Sequence, residues 1–290
     1  MLSLLEVAER TQKGPKVAEQ AWDMAFFRKV SELLKRHEIP TYSKGMPFLN
    51  ADDSLPERAF RAAVDLLVEQ GVYCITTGRV IQLTRDEVLS AVKDCPTEVL
   101  VGQGKDARVM RQRKVEGREP LNVCPGHHSP FTEDLASLVV KNFAEIPRTD
   151  FLEGFNFTEV DGREIQGPPL EVYATRRQIA WMREGIAKAG RPGLSIVLYP
   201  INTRAAAFLS VLDPCQGLRK GDGLLTSVLP DLKVEHDLLA AAIVTEEYGL
   251  WRISGSFSMA GGFCGGHDGA IVEGVAKALA AVICYRVYVN

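Results

Sequence analysis

No apolar run in this 290-residue chain approaches the roughly 20 residues needed to cross a bilayer. The opening stretch, MLSLLEVAERTQKG, meets acids at once, where an export or transit peptide would be basic and acid-poor. A cytoplasmic protein is expected. A basic excess is also missing: 34 Lys and Arg face 37 Asp and Glu, a net charge of −3, so nothing points to nucleic acid. The richest basic run, KDARVMRQRKVEGR from Lys105 to Arg118, is broken by Asp106 and Glu116 and reads as a solvated ribbon. The glycine fingerprint of a dinucleotide fold and the Walker loop are absent. GGFCGGHDG, from Gly261 to Gly269, has glycines in another pattern. Cysteine is too sparse for a disulfide scaffold: the six, at positions 74, 95, 124, 215, 264 and 284, lie far apart and are expected to be reduced thiols.

What the chain does have is a change of rhythm near residue 120. Before it, helices are expected at 4–11, 20–37, 55–71 and 84–93. In the second, Trp22, Phe26, Phe27, Val30, Leu33 and Leu34 recur at helical spacing; the third is opened by Pro56 and closed by Gly71. A hairpin is expected around Thr77-Gly78, and TEVLVGQG with ARVMRQRKV reads as two more ribbon strands. Residues 1–120 thus form an N-terminal helix-and-ribbon extension. From 121 to 290, six β segments alternate with helices: LNVCPG, DFLEGFNF, LSIVLYP, GLLTSVL, LWRISGSF and CYRVYVN, with helices expected near 131–144 and 168–188. That alternation implies an α/β fold with a parallel sheet, either a (β/α)₈ barrel or a doubly wound sheet. A barrel closes with eight strands. Six, the last apolar, imply an incomplete barrel and a chain that continues in a larger protein.

At this point particular stretches carry a resemblance. KVAEQAWD, GVYCITTGRVIQLTRDEV, VGQGKDA, GHHSPFTEDL, EVYATRR, AGRPG and GGFCGG occur in the order found in the monomethylamine:corrinoid methyltransferases, the pyrrolysine-type enzymes of methanogenesis. The chain resembles that family over essentially its whole length. The resemblance implies a (β/α)₈ TIM-type barrel with an N-terminal extension. It implies methyl transfer from a methylated amine to a Co(I) corrinoid held by a partner protein, no cofactor bound by the chain itself, and a homo-oligomer without nucleic-acid or membrane partners. The family carries pyrrolysine at the end of the third barrel strand. Counted from Gly193, that position falls on Val197; counted back from Pro200, on Leu198. Neither is electrophilic. The family glutamates at the ends of strands four and five match Leu225 and Gly255.

Methyl transfer to Co(I) is a displacement at carbon, so the protein must improve the leaving group. A quaternary ammonium leaves as a neutral amine without help, and would want an aromatic cage. Phe155 and Phe157, two apart on one side of a strand, Tyr199 at Val197's end of strand three and Phe257 after strand five are the candidate lining; the alternative is that the phenylalanines fill the barrel core. Asn156 and Asn202 are candidates to orient the substrate, and His127 and His128, beside a helix start, to hold an anion. Two Cys-x-x-His pairs, Cys124/His127 and Cys264/His267, could together bind zinc and support a hydrolase. On the barrel reading they follow opposite strands, roughly 15 Å apart. A third possibility is an inactive homologue acting as a binding subunit.

Overall fold

The computed structural model describes residues 1–43, 45, 52–114, 116–126, 132–198, 205–213, 215–255 and 257–288. In chain order the elements are α1 (Leu4–Lys13), α2 (Glu19–Arg36), α3 (Leu55–Glu69), β1 (Val72–Cys74), β2 (Arg79–Ile81), α4 (Arg85–Asp94), β3 (Glu98–Val101) and β4 (Arg108–Arg111). They continue with α5 (Glu133–Glu145), β5 (Phe151–Glu153), β6 (Glu159–Val160), β7 (Arg163–Glu164), α6 (Pro168–Lys188), β8 (Ser195–Leu198) and α7 (Ala205–Leu209). The last are β9 (Gly223–Thr226), β10 (Lys233–Val234), α8 (His236–Glu247), β11 (Trp251–Ser254) and α9 (His267–Tyr285). Contacts divide the chain into two compact units. One joins Met1–Cys95, Thr226–Leu239 and Ser254–Val287; the other joins Pro96–Leu225, Ala240–Ile253 and Tyr288–Asn290. Neither unit is contiguous, whereas the boundary read from the sequence crosses the chain once, near residue 120.

In the first unit the helices begin where local chemistry satisfies their free N–H groups. The Ser3 hydroxyl accepts from Glu6 N at 3.2 Å while Ser3 N donates to the Glu6 carboxylate at 2.7 Å. Thr84 and Glu87 make the same reciprocal pair at the start of α4. α2 buries Trp22, Phe26, Val30 and Leu33, four of the six residues singled out by spacing. α9 is buried along most of its length and packs against α1 to α4. The hairpin at Thr77-Gly78 forms, with Gly78 at φ 65 and Cys74 opposite Arg79. β10 then adds to it in parallel, Tyr73 opposite Lys233, giving the order β10-β1-β2. Two residues with no periodicity of their own could not announce that pairing.

In the second unit β5, β8, β9 and β11 lie side by side in chain order, with β5, β8 and β9 parallel. This is the wall of a barrel, built strand after strand. Of the six β segments expected, the two outer ones join less regularly. LNVCPG enters no ladder; it runs beside the start of β5 through Asp150 N to Val123 O, 2.9 Å, and Val123 N to the Asp150 carboxylate, 2.8 Å. The final segment contributes one parallel bridge, Ile253 to Tyr288. The ribbon β3/β4 pairs Glu98 with Arg111 and Val101 with Arg108. Its turn caps the N-terminal ends of the wall: Gly102 N donates to Gly221 O and Gln103 N to Gly193 O, both at 2.8 Å. Asp106 corrects the reading of the basic run. It is not a surface interruption but buried, 4% exposed, accepting from Arg191 Nε at 3.2 Å and Gly193 N at 3.1 Å.

Candidate site at the carboxyl ends of the parallel strands

Alternate residues of a strand point to opposite faces. Phe151, Val197 and Trp251 share the inward face and form one buried cluster with Val101, Met110 and Tyr288; Cys124, Leu225 and Ile253 pack against it. Glu153, two residues beyond Phe151, lies on that same face, and its Cα partner across the β5/β8 ladder is Val197. On Val197's other side the partner is Gly223. Gly223 is required there: a Cβ would come 2.6 Å from the Trp251 ring. That ring meets Phe151 edge-on at 5.1 Å and donates to Gly221 O at 3.1 Å. Burial declines along the strands. Phe151, Val197 and Trp251 are buried, whereas Glu153, Leu225 and Ile253, nearer the carboxyl ends, are half-buried. The cluster therefore opens at the end where barrels place their sites.

Two polar anchors hold this wall from behind. Asp222 accepts from Ile196 N at 2.8 Å and Arg219 N at 2.6 Å and forms a buried ion pair with Arg183. Burial pushes its carboxyl above the usual range, with Arg183 opposing. Arg191 donates to Asp106, to Ala144 O at 3.1 Å and to Thr149 O at 2.9 Å. So VGQGKDA and AGRPG, which carry much of the resemblance, are two halves of one joint. A Cβ on Gly193 would sit 2.2 Å from Gln103 O, so that joint admits glycine alone.

The candidates named from sequence fall in different places. Val197 is in the inward cluster, 1% exposed. Tyr199, Asn202, His127 and His128 lie outside the described residues. Phe155 and Phe157 pack on Trp181 of α6, at 6.4 and 5.2 Å between ring centroids, and on each other at 5.9 Å. Gln178 Nε2 donates to Phe155 O at 2.6 Å, and the Arg177 guanidinium stacks 5.0 Å from the Trp181 ring. Half-buried Asn156 sits between the two rings in sequence. Packing on a helix is thus the role their contacts display. Phe257 is 80% exposed and belongs to the other unit.

Of the two Cys-x-x-His pairs, Cys124 falls in one unit and Cys264 with His267 in the other. Burial and the charge of Glu153 push the Cys124 thiol well above its ordinary value. Cys264, buried beside Glu273, is pushed up to about 12 and donates to Met259 O at 3.1 Å. His267 is exposed and meets the Tyr42 ring at 5.7 Å. The glycines of GGFCGG serve a tight turn, with Gly261 at φ 96 and Gly265 at φ 83; a Cβ on Gly269, in the helix that follows, would lie 1.7 Å from Cys264 O. Among the described residues no group of three or more His, Cys, Asp or Glu could hold a metal.

Glu153 was not singled out from sequence. The signal was there: a single acid inside the apolar FLEGF, two residues past Phe151.

Residues 2–288 match the family model described as monomethylamine methyltransferase MtmB. The chain belongs to this family. It is 28% identical over 281 residues to monomethylamine methyltransferase MtmB of Methanosarcina mazei, and 26% over 278 residues to MtmB2 of Methanosarcina acetivorans. Each match covers 95% of this chain and 60% of the relative. The crystal structure of the Methanosarcina barkeri monomethylamine methyltransferase superposes with a TM-score of 0.90 at 26% identity, covering 98% of this chain and 62% of the other. The crystal structure of the hydroxylamine MtmB complex also superposes with a TM-score of 0.90, at 25% identity. The chain therefore spans about 60% of the length of these MtmB relatives. Its fold is of their TIM-barrel type, with the barrel incomplete among the described residues.

Proposed function

We propose that this chain positions a methylated amine so that its methyl group passes to the Co(I) corrinoid of a partner protein. The observation that carries the reading is the MtmB family match over residues 2–288, with a TM-score of 0.90 to the solved enzyme. The inward cluster and its mouth supply the place. The corrinoid is a substrate here, brought by its own protein. Co(I) supplies an electron pair to the methyl carbon; the C–N bond breaks and its pair stays on nitrogen. The chain's part is to hold the amine with its methyl group outward and to exclude water from the apolar floor made by Phe151, Val197 and Trp251.

Val197 constrains the chemistry. An aliphatic side chain can neither add to an amine nor protonate it. The amine must therefore arrive already positively charged, so that it departs neutral. A quaternary ammonium meets that condition at any pH; methylammonium meets it near neutrality. Both are within reach of this site, with the family pointing to small methylated amines. Tyr199 and Asn202 follow Val197 in sequence, and with Phe155, Asn156, Phe157, Phe257, His127 and His128 they remain proposed contributors to substrate binding. We place the protein in the cytoplasm as a homo-oligomer.

The test is direct. Purified chain is mixed anaerobically with cob(I)alamin and, in turn, methylammonium, dimethylammonium, trimethylammonium and tetramethylammonium chloride. Methylcobalamin formation is followed by its absorbance. Enzyme-dependent methylation from one of them is expected. Absence of methyl transfer from all four, with either free cobalamin or a corrinoid protein as acceptor, would overturn the reading.

A further inference from the structure

Resting on that reading, the geometry points to a specificity-determining residue: we propose that Glu153 recognises the substrate as a cation, its carboxylate contacting the charged nitrogen of a methylated ammonium ion seated over Val197. Three observations support it. Glu153 and Val197 are Cα partners on adjacent parallel strands and share the inward face. The inward residues of β5, β8, β9 and β11 are otherwise Phe151, Ser195, Val197, Gly223, Leu225, Trp251 and Ile253, so Glu153 is the one formal charge on this face of the described strands. And room is kept for the carboxylate: a Cβ on Gly126 would lie 2.9 Å from Glu153 Oε2.

The physics follows from placement. A carboxylate on an apolar wall is only partly hydrated, and its field is less screened than at an open surface. A small ammonium ion of opposite charge gains there what a neutral amine of the same shape does not. The methyl group to be transferred points outward, toward cobalt, while nitrogen faces the carboxylate. During transfer the C–N bond breaks, cobalt goes from Co(I) to methyl-Co(III), and the amine leaves neutral. Glu153 neither gains nor loses a proton. Because the positive charge on nitrogen fades as the methyl departs, Glu153 contributes to holding the substrate rather than to the chemical step. Its loss is therefore expected in KM and in binding more than in kcat.

The experiment compares wild type, Glu153→Gln and Glu153→Asp. Binding of methylammonium and tetramethylammonium chloride is measured by titration calorimetry at fixed ionic strength. Methylation of cob(I)alamin is measured in parallel, and thermal melting controls for folding. Glu153→Gln is expected to weaken cation binding and raise KM by about tenfold or more, the range for removing a charged partner, with Tm unchanged. Glu153→Asp, which keeps the charge at shorter reach, is expected to recover most of it. Greater loss for methylammonium than for tetramethylammonium would mark an N–H contact, and equal loss a purely Coulombic one; both support the inference. An unchanged KM and binding constant in Glu153→Gln, while wild type methylates cobalamin, would overturn it. If Glu153→Gln melts early, failure of Glu153→Asp to restore binding overturns it instead. Cation binding that depends on Glu153 without any methyl transfer would sink the proposed reaction and leave this recognition standing.

Discussion

Asp106 shows how much one side chain can carry. It sits inside a run of basic residues, yet it is buried and shared between the Arg191 guanidinium and Gly193 N. Removing it strands Arg191, itself largely buried, without its counter-charge. Asp106→Ala is expected to cost about 3 kcal/mol or more, seen as a lower urea midpoint at unchanged slope. Val197 works differently. Val197→Ala removes two methyl groups from a buried cluster and is expected to cost about 2 kcal/mol, while methyl transfer to cob(I)alamin survives because the side chain has no chemical role. A large loss of turnover at retained stability would show that this position still acts chemically. At Gly223 the constraint is steric. Gly223→Ala drives a methyl into the Trp251 ring and is expected to cost about 1–3 kcal/mol, with a changed tryptophan emission as its signature.

At the scale of elements, the turn before β10 is informative. Asp231 and Leu232 both take left-handed backbone, φ 62 and 54. The turn is held by Trp22 Nε1 donating to Asp231 O at 2.9 Å and by Asp231 N donating to Glu273 at 2.7 Å. Burial, reinforced by the nearby Glu273 charge, raises the Asp231 carboxyl to about 6. The folded value then exceeds the unfolded one of about 3.9, so between those limits the folded state binds more protons. By linkage this group's contribution to stability is greatest below about pH 4 and is lost as pH rises to about 6. Asp231→Asn tolerates the left-handed backbone and cannot ionise. Its stability relative to wild type is expected to rise across that window and then level off, measured by urea denaturation at pH 4, 5, 6 and 7. A constant difference at all four would assign the shift elsewhere. Most of the helix ends here were legible from sequence, because capping pairs such as Ser3/Glu6 and Thr84/Glu87 and breakers such as Gly71 act locally. LNVCPG was not, since its alternation suits a strand but the ladder beside it is not made.

For the whole molecule, a ligand that binds only the folded chain must stabilise it. At a concentration one hundred times its Kd, the preferred methylated ammonium ion is expected to add about 2.7 kcal/mol and to raise Tm progressively with concentration. A melt indifferent to every methylated amine would deny a preformed site. By itself the sequence determined the family, the helix-and-ribbon start and the alternation that follows, because periodicity, caps and short motifs depend on near neighbours. Only the tertiary structure decided which side chains meet. A period of two defines two faces of a strand without saying which turns inward. Pairing with β8 turned Phe151 and Glu153 toward Val197. Trp181, many residues later on α6, took Phe155 and Phe157. Such choices are set by contacts between distant segments, which local pattern does not encode.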